Sequence, residues 1–189
     1  MLTFVNIPTD GGYARPVDHE ESSYRYSFIT PLLPTSVEKR IRDDLGASVT
    51  VHGHLNVVTV IGSAYRRAVA GMRLAEALAE RGVAAERTQP DLVNRRMIAE
   101  RARCTRQAVA LWVTRQRHQH DPFPLPATLI PGETWAWAEV NSWLGRNGYP
   151  HETDCTIPGL EDYARLDSHL LSHRDEYREI AAAARGNRA

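Results

Sequence analysis

The side chains with the clearest chemical purpose lie between Asn94 and Arg117. There Arg95, Arg96, Arg101, Arg103, Arg106, Arg115 and Arg117 stand against one acid, Glu100, a local net charge of +6. The whole chain has 23 basic and 23 acidic side chains and no net charge, so the rest of it carries the matching excess of acid. Guanidinium groups offer paired N–H donors that fit phosphate oxygens and the guanine edge. Concentrated on one part of a neutral chain, they direct a polyanion to one face without making the whole surface adhesive.

Other residues that could do chemistry are sparse. His52 and His54, and again His118 and His120, form His-x-His pairs able to offer two nitrogens to a metal, but neither has a third ligand nearby in sequence. His118 and His120 adjoin the basic segment, where they could equally add phosphate contacts. Cys104 and Cys155 are too far apart to read as a metal pair, and Cys104 reads as a core thiol. With no glycine-rich phosphate loop, serine elbow or paired-carboxylate pattern, the expectation is a protein that is not an enzyme, with no cofactor and no metal.

The elements that position the arginines can be read from periodicity. In MIAERARCTRQAVALWV, Met97 to Val113, the residues Ile98, Ala99 and Ala102 share one side of a short helix. Arg103 and Cys104 make a turn. Thr105 stands where an N-cap belongs, its hydroxyl placed to accept from the amide of Gln107 or Ala108. Val109, Trp112 and Val113 then form the buried stripe of a second helix, which turns Arg106, Gln107, Ala110 and Thr114 outward. From Phe123 to Leu144 follow a proline-bounded apolar run, a Pro131-Gly132 turn, and a run with Trp135 and Trp137 on the same side of a strand, together a hairpin or wing. Ala138 to Arg146 reads as a helix burying Val140, Trp143 and Leu144.

This order of helix, turn, helix, wing and helix resembles the small winged helix-turn-helix domains of the MerR-like superfamily, especially the phage AlpA and excisionase type. The likeness covers about residues 91–146. It is carried by Ile98 to Arg101, Thr105 to Gln107, Val109, Trp112-Val113, the Phe123-Pro124 pair, and Trp135 to Val140. Arg103 stands in the turn where the family usually has glycine, and the link Thr114 to Pro122 is longer than in the shortest members. The resemblance implies double-stranded DNA as the partner and a transcription regulator as the role. Arg106 and Gln107 would read guanine and adenine edges, and Ala110 or Leu111 would meet a thymine methyl. Arg95, Arg96, Arg103, Thr105, Arg115 and Arg117 would hold phosphates, and Pro131 and Gly132 would bring the wing tip to the adjacent groove. Two alternatives stand beside this: an excisionase-like architectural factor that bends DNA, and a protein-interaction adaptor whose arginines meet an acidic partner.

The rest of the chain reads as an α+β protein. Residues 1–22, with Gly11-Gly12 and an acidic run, read as an extended arm. Residues 23–90 read as strand (Tyr24 to Leu33), capped helix (Ser36 to Leu45), two strands meeting near His54, a helix from Ala68 to Arg81 ended by Gly82, and a short strand from Val83 to Arg87. That βαββαβ order suggests a ferredoxin-like α/β sandwich, which could bind a ligand, a second copy or another protein. Residues 91–149 are the winged domain and 150–189 a helical, acidic tail. The tail's broken stripe of Leu160, Tyr163, Leu166, Leu170, Leu171, Tyr177 and Ile180 could build a dimer or pack back on the winged domain. The amino terminus lacks the basic start and apolar core of a signal peptide. Without a long apolar run, the expectation is a cytoplasmic, nucleoid-associated homodimer with no membrane contact.

Overall fold

The computed structural model describes residues 21–129 and 132–186, so most of the expected arm, together with Pro131, lies outside the described residues. The fold is mixed α+β and divides into two compact units. Unit 1 runs up to Gln89 and resumes at Glu161; unit 2 is Pro90–Leu160. No helix among the described residues is long and apolar enough to cross a membrane.

Unit 1 is built on a sheet of strands β1 (Ser22–Pro31), β2 (Ser48–His52), β3 (Leu55–Ala64) and β4 (Arg87–Thr88), in the order β2-β3-β1-β4. All neighbouring strands are antiparallel, with Phe28 opposite Val58 and Tyr26 opposite Val60. The period-2 alternation of β1 and β3 puts Tyr24, Tyr26, Phe28, Val58 and Val60 on one face, all buried. Helices α1 (Thr35–Leu45) and α2 (Arg67–Ala79) cover that face through Val37, Ile41, Leu45, Leu74 and Leu78.

Two glycines have specific work here. Gly53 takes φ +60° in the two-residue turn between the His52–Leu55 pair, the conformation such a hairpin needs at its first position. Gly71 lets α2 cross closely, since a Cβ there would lie 2.5 Å from Leu166 and 3.0 Å from the Tyr26 ring.

Four readings of this region change. Helix α1 starts at Thr35 without a side-chain cap, its first amides instead donating to the Pro34 carbonyl. The expected strand from Val83 to Arg87 shrinks to Arg87–Thr88, because Val83 and Ala85 are drawn into the core. The tail is two helices, α6 (Leu160–Ser172) and α7 (Arg174–Gly186), broken at His173. Of its apolar stripe, Tyr163, Leu166, Leu170 and Tyr177 join the core of unit 1 and Ile180 packs partly against it, while Leu160 and Leu171 are exposed. Tyr163 meets the Tyr26 ring edge-on at 5.6 Å, and Asp167 accepts the Thr88 N–H at 2.6 Å.

Unit 2 has little regular structure besides its helices: β5 (Leu92–Val93), α3 (Arg95–Arg101), α4 (Arg106–Val113), β6 (Trp135–Ala136) and α5 (Trp137–Arg146). Its core gathers Ile98, Ala99, Ala102, Val109 and Phe123 around all four tryptophans of the chain. Trp135 and Trp137 do not share a strand. Trp135 lies in β6, opposite Val93 of β5, and Trp137 opens α5. Three indole N–H groups tie down irregular chain: Trp135 donates to the Pro124 carbonyl at 3.1 Å, Trp143 to that of Asp121 at 2.9 Å and Trp137 to the Glu152 carboxylate at 3.0 Å. Buried polar groups left without partners are costly, so these bonds fix the path of loops that lack a ladder.

Candidate nucleic-acid interface

Helices α3 and α4 are joined by Ala102 to Thr105, and both are capped at the N-terminus by side chains. Asn94 accepts from the Met97 amide at 3.0 Å and Thr105 from the Ala108 amide at 3.1 Å, each satisfying an amide that the first turn leaves free. The Thr105 cap was legible in the sequence. The Asn94 cap was missed, although an asparagine directly before an arginine-rich helix is a start signal of the same kind.

The C-termini are more informative. After α3, the Cys104 amide donates to the Ala99 carbonyl and the Arg103 amide to that of Glu100, with Arg103 at φ +51°. After α4, Gln116 donates to Leu111 and Arg115 to Trp112, with Arg115 at φ +57°. Both ends are Schellman motifs with arginine in the left-handed position that glycine ordinarily fills. A side chain with a Cβ is strained there by about 1–2 kcal/mol, yet both positions carry a long cation exposed to solvent.

Around α4, a 100° step per residue separates two faces. Val109 and Trp112 are buried; Arg106, Gln107 and Thr114 are exposed and Ala110 is half-buried between them. Thr114 donates its hydroxyl to the Ala110 carbonyl at 2.8 Å.

The remaining arginines divide by their partners. Arg95 is paired with Glu133, and its guanidinium lies 5.9 Å from the Trp135 ring centre. Arg96 makes a loose surface pair with Glu100 at 3.5 Å. Arg101 chelates Asp91 through two bonds of 2.7 and 2.9 Å and lies 4.8 Å from the Trp137 ring centre. These contacts fasten α3 to the β5–β6 ladder, and the Asp91 partnership was not anticipated because ten residues separate the pair. Arg103, Arg106, Arg115 and Arg117 are exposed, and none pairs with a carboxylate among the described residues. Among the described residues the seven arginines of the segment therefore divide into four free cations on or beside α4, one loosely held, and two engaged.

In the segment expected to form a wing, Thr128 and Thr134 are bridged, the two backbones exchanging bonds and the hydroxyls 2.6 Å apart. Gly132 is exposed, and a Cβ there would meet nothing. From Phe123 to Thr134 the chain has no lysine or arginine, while Leu125 and Leu129 are strongly exposed.

His118 is half-buried against the aromatic core. It too is left-handed, at φ +57°, bonds the Tyr149 hydroxyl at 2.7 Å and meets Trp143 edge-on at 5.0 Å. No cluster of three metal-ligating side chains occurs among the described residues. Burial raises the Cys104 thiol pKa, which opposes the thiolate form. Hydrogen bonds from Arg146, then Asn147, lower that of the Asp121 carboxyl.

In comparisons with protein-family models, with curated proteins and with solved structures, nothing matched this chain.

Proposed function

We propose that the protein is a sequence-specific DNA-binding protein, a cytoplasmic transcription regulator acting as a homodimer. In this reading unit 2 is a winged helix-turn-helix and unit 1 a ferredoxin-like sandwich. The observation that carries the reading is the set Arg103, Arg106, Arg115 and Arg117, exposed on or beside α4 and without a carboxylate partner among the described residues, with two of the four held where the backbone favours glycine. Strained positions that persist in a well-packed unit point toward function. Arg106 and Gln107, at the first turn of α4, are the base-reading pair, with Ala110 against a thymine methyl. Arg103, Arg115 and Arg117 hold phosphates, joined by Arg96 once Glu100 releases it. Arg95, tied to Glu133, positions the wing.

A second reading, an architectural factor that bends DNA, is favoured by one feature. The wing presents exposed Leu129 and no cation, suited to wedging between base steps rather than to clasping phosphate. Selection of bound duplexes from a random pool tests the main reading. A defined motif is expected, and Arg106→Ala should cost about 1–3 kcal/mol at one base position and relax preference there. Recovery of no motif, with retention of the chain by acidic protein surfaces instead, would favour an adaptor.

A further inference from the structure

The two edges of the unit 1 sheet are treated very differently. The β4 edge has two residues, and the Thr88 amide is taken by Asp167. The β2 edge has five, Ser48-Val49-Thr50-Val51-His52, with no lysine, acid, proline or bulge to discourage another strand. Edge strands without such guards are templates for pairing. Val49, opposite Val58, packs partly against the core, and Val51, opposite the buried Asn56, lies on the same face but is 60% exposed. The helix-covered side of the sheet thus continues as apolar surface beyond the last described strand.

We propose that this edge pairs with β2 of a second copy, antiparallel, to form one continuous eight-stranded sheet. The strand is self-complementary. A two-fold axis perpendicular to the sheet requires one residue to face its own counterpart, and only Thr50 at the axis leaves all five residues paired. Val49 then faces the partner's Val51, and the reverse, so four valines extend the core beneath the junction while Ser48 and His52 meet above it. The second copy is chosen over an unrelated strand because this register satisfies both edges and covers both Val51 side chains at once. It gives the proposed homodimer its surface and rests on that part of the reading alone.

A five-residue ladder buries less than the roughly 1,600 Å² of a standard interface, so the dimer should dissociate in the micromolar range. Sedimentation equilibrium of the full chain, from about 5 to 300 µM, should show a monomer–dimer equilibrium. Val51→Lys, at a position already open to solvent, should weaken it at least tenfold without changing the circular dichroism spectrum. Under mild oxidation Thr50→Cys should cross-link, its Cα atoms standing about 4.5–5.5 Å apart across the ladder, and Ser48→Cys should not exceed wild type. A wild-type monomer at the highest concentration overturns the proposal. So does a Val51→Lys dimer as tight as wild type, which leaves the homodimer standing on another surface, or equal cross-linking at both cysteine positions. DNA binding measured on Val51→Lys at low salt reports separately on unit 2.

Discussion

Unit 1 buries its apolar residues between a four-stranded sheet and helices, while unit 2 has, among the described residues, only two two-residue strands and closes around tryptophan. In unit 1 a ten-residue register between β1 and β3 satisfies the backbone, and the side chains that fill the core are mostly aliphatic or alanine. In unit 2 the long link from Thr114 to Thr134 has almost no ladder, and indole N–H groups take over the task of holding its carbonyls. The free charges are placed differently as well. Among the described residues, exposed cations of unit 1 without a carboxylate partner, such as Lys39, Arg42, Arg66 and Arg87, are scattered over helix, loop and strand, whereas Arg103, Arg106, Arg115 and Arg117 of unit 2 lie on or beside α4. A small unit with its core set by a few large rings can devote most of its surface to a partner.

The contrast is open to direct attack, beginning with the largest effect. All four tryptophans lie in unit 2, so tryptophan emission reports that unit alone while far-ultraviolet circular dichroism reports both. Trp143 is fully buried and packs near Trp112, Phe123 and Tyr149. Trp143→Ala should cost about 3–5 kcal/mol and lower the fluorescence-monitored Tm, while the β-sheet signal of unit 1 melts near its wild-type temperature. Loss of both signals together would show that the units share one cooperative transition.

The complementary change is Gly71→Val in unit 1, where the new side chain collides with Leu166 and Tyr26. It should destabilise by about 1–3 kcal/mol, read by circular dichroism, with the tryptophan transition unmoved. A smaller effect of opposite sign is expected at the two strained arginines. Arg103→Gly and Arg115→Gly should each raise the stability of unit 2 by about 0.5–1 kcal/mol while weakening binding to duplex DNA. Stabilisation without loss of binding would remove that arginine from the interface.

The smallest effect concerns pH. Burial, then the neighbouring His173, lowers the His169 pKa. Its ring bonds the Tyr177 hydroxyl at 2.9 Å, with Glu76 of α2 and Glu176 of α7 opposing the shift. Because the folded state disfavours its protonation, this contribution to stability is complete above the unfolded value near 6.5 and is lost as pH falls through the lower folded value. Urea midpoints measured by circular dichroism should fall between about pH 7 and pH 5, and less steeply in His169→Gln.

Much of this architecture was legible in the residues, and the exceptions share a cause. Strands β1 to β3, helix α2 and the Thr105 cap follow from local alternation and capping chemistry that a short window contains. The exposed Arg106 and Gln107 follow from the Val109–Trp112 stripe. What could not be read depends on distant partners: Asp91 claiming Arg101, Glu133 claiming Arg95, Tyr149 claiming His118, and α6 returning to unit 1. The sequence reads Trp137 into a strand because an aromatic-alanine alternation fits either structure, and only pairing of β6 with β5 ends the strand at Ala136.

The central claim is that Arg103, Arg115 and Arg117, joined by Arg96, neutralise phosphates. Its most direct test is the affinity of the full chain for random-sequence duplex across a salt series. Four phosphate contacts per bound chain predict a slope of log Kobs against log salt of about −3.6, reduced in magnitude by about 1 in Arg115→Ala. A slope near zero, or one that Arg115→Ala and Arg117→Ala leave unchanged, would contradict it.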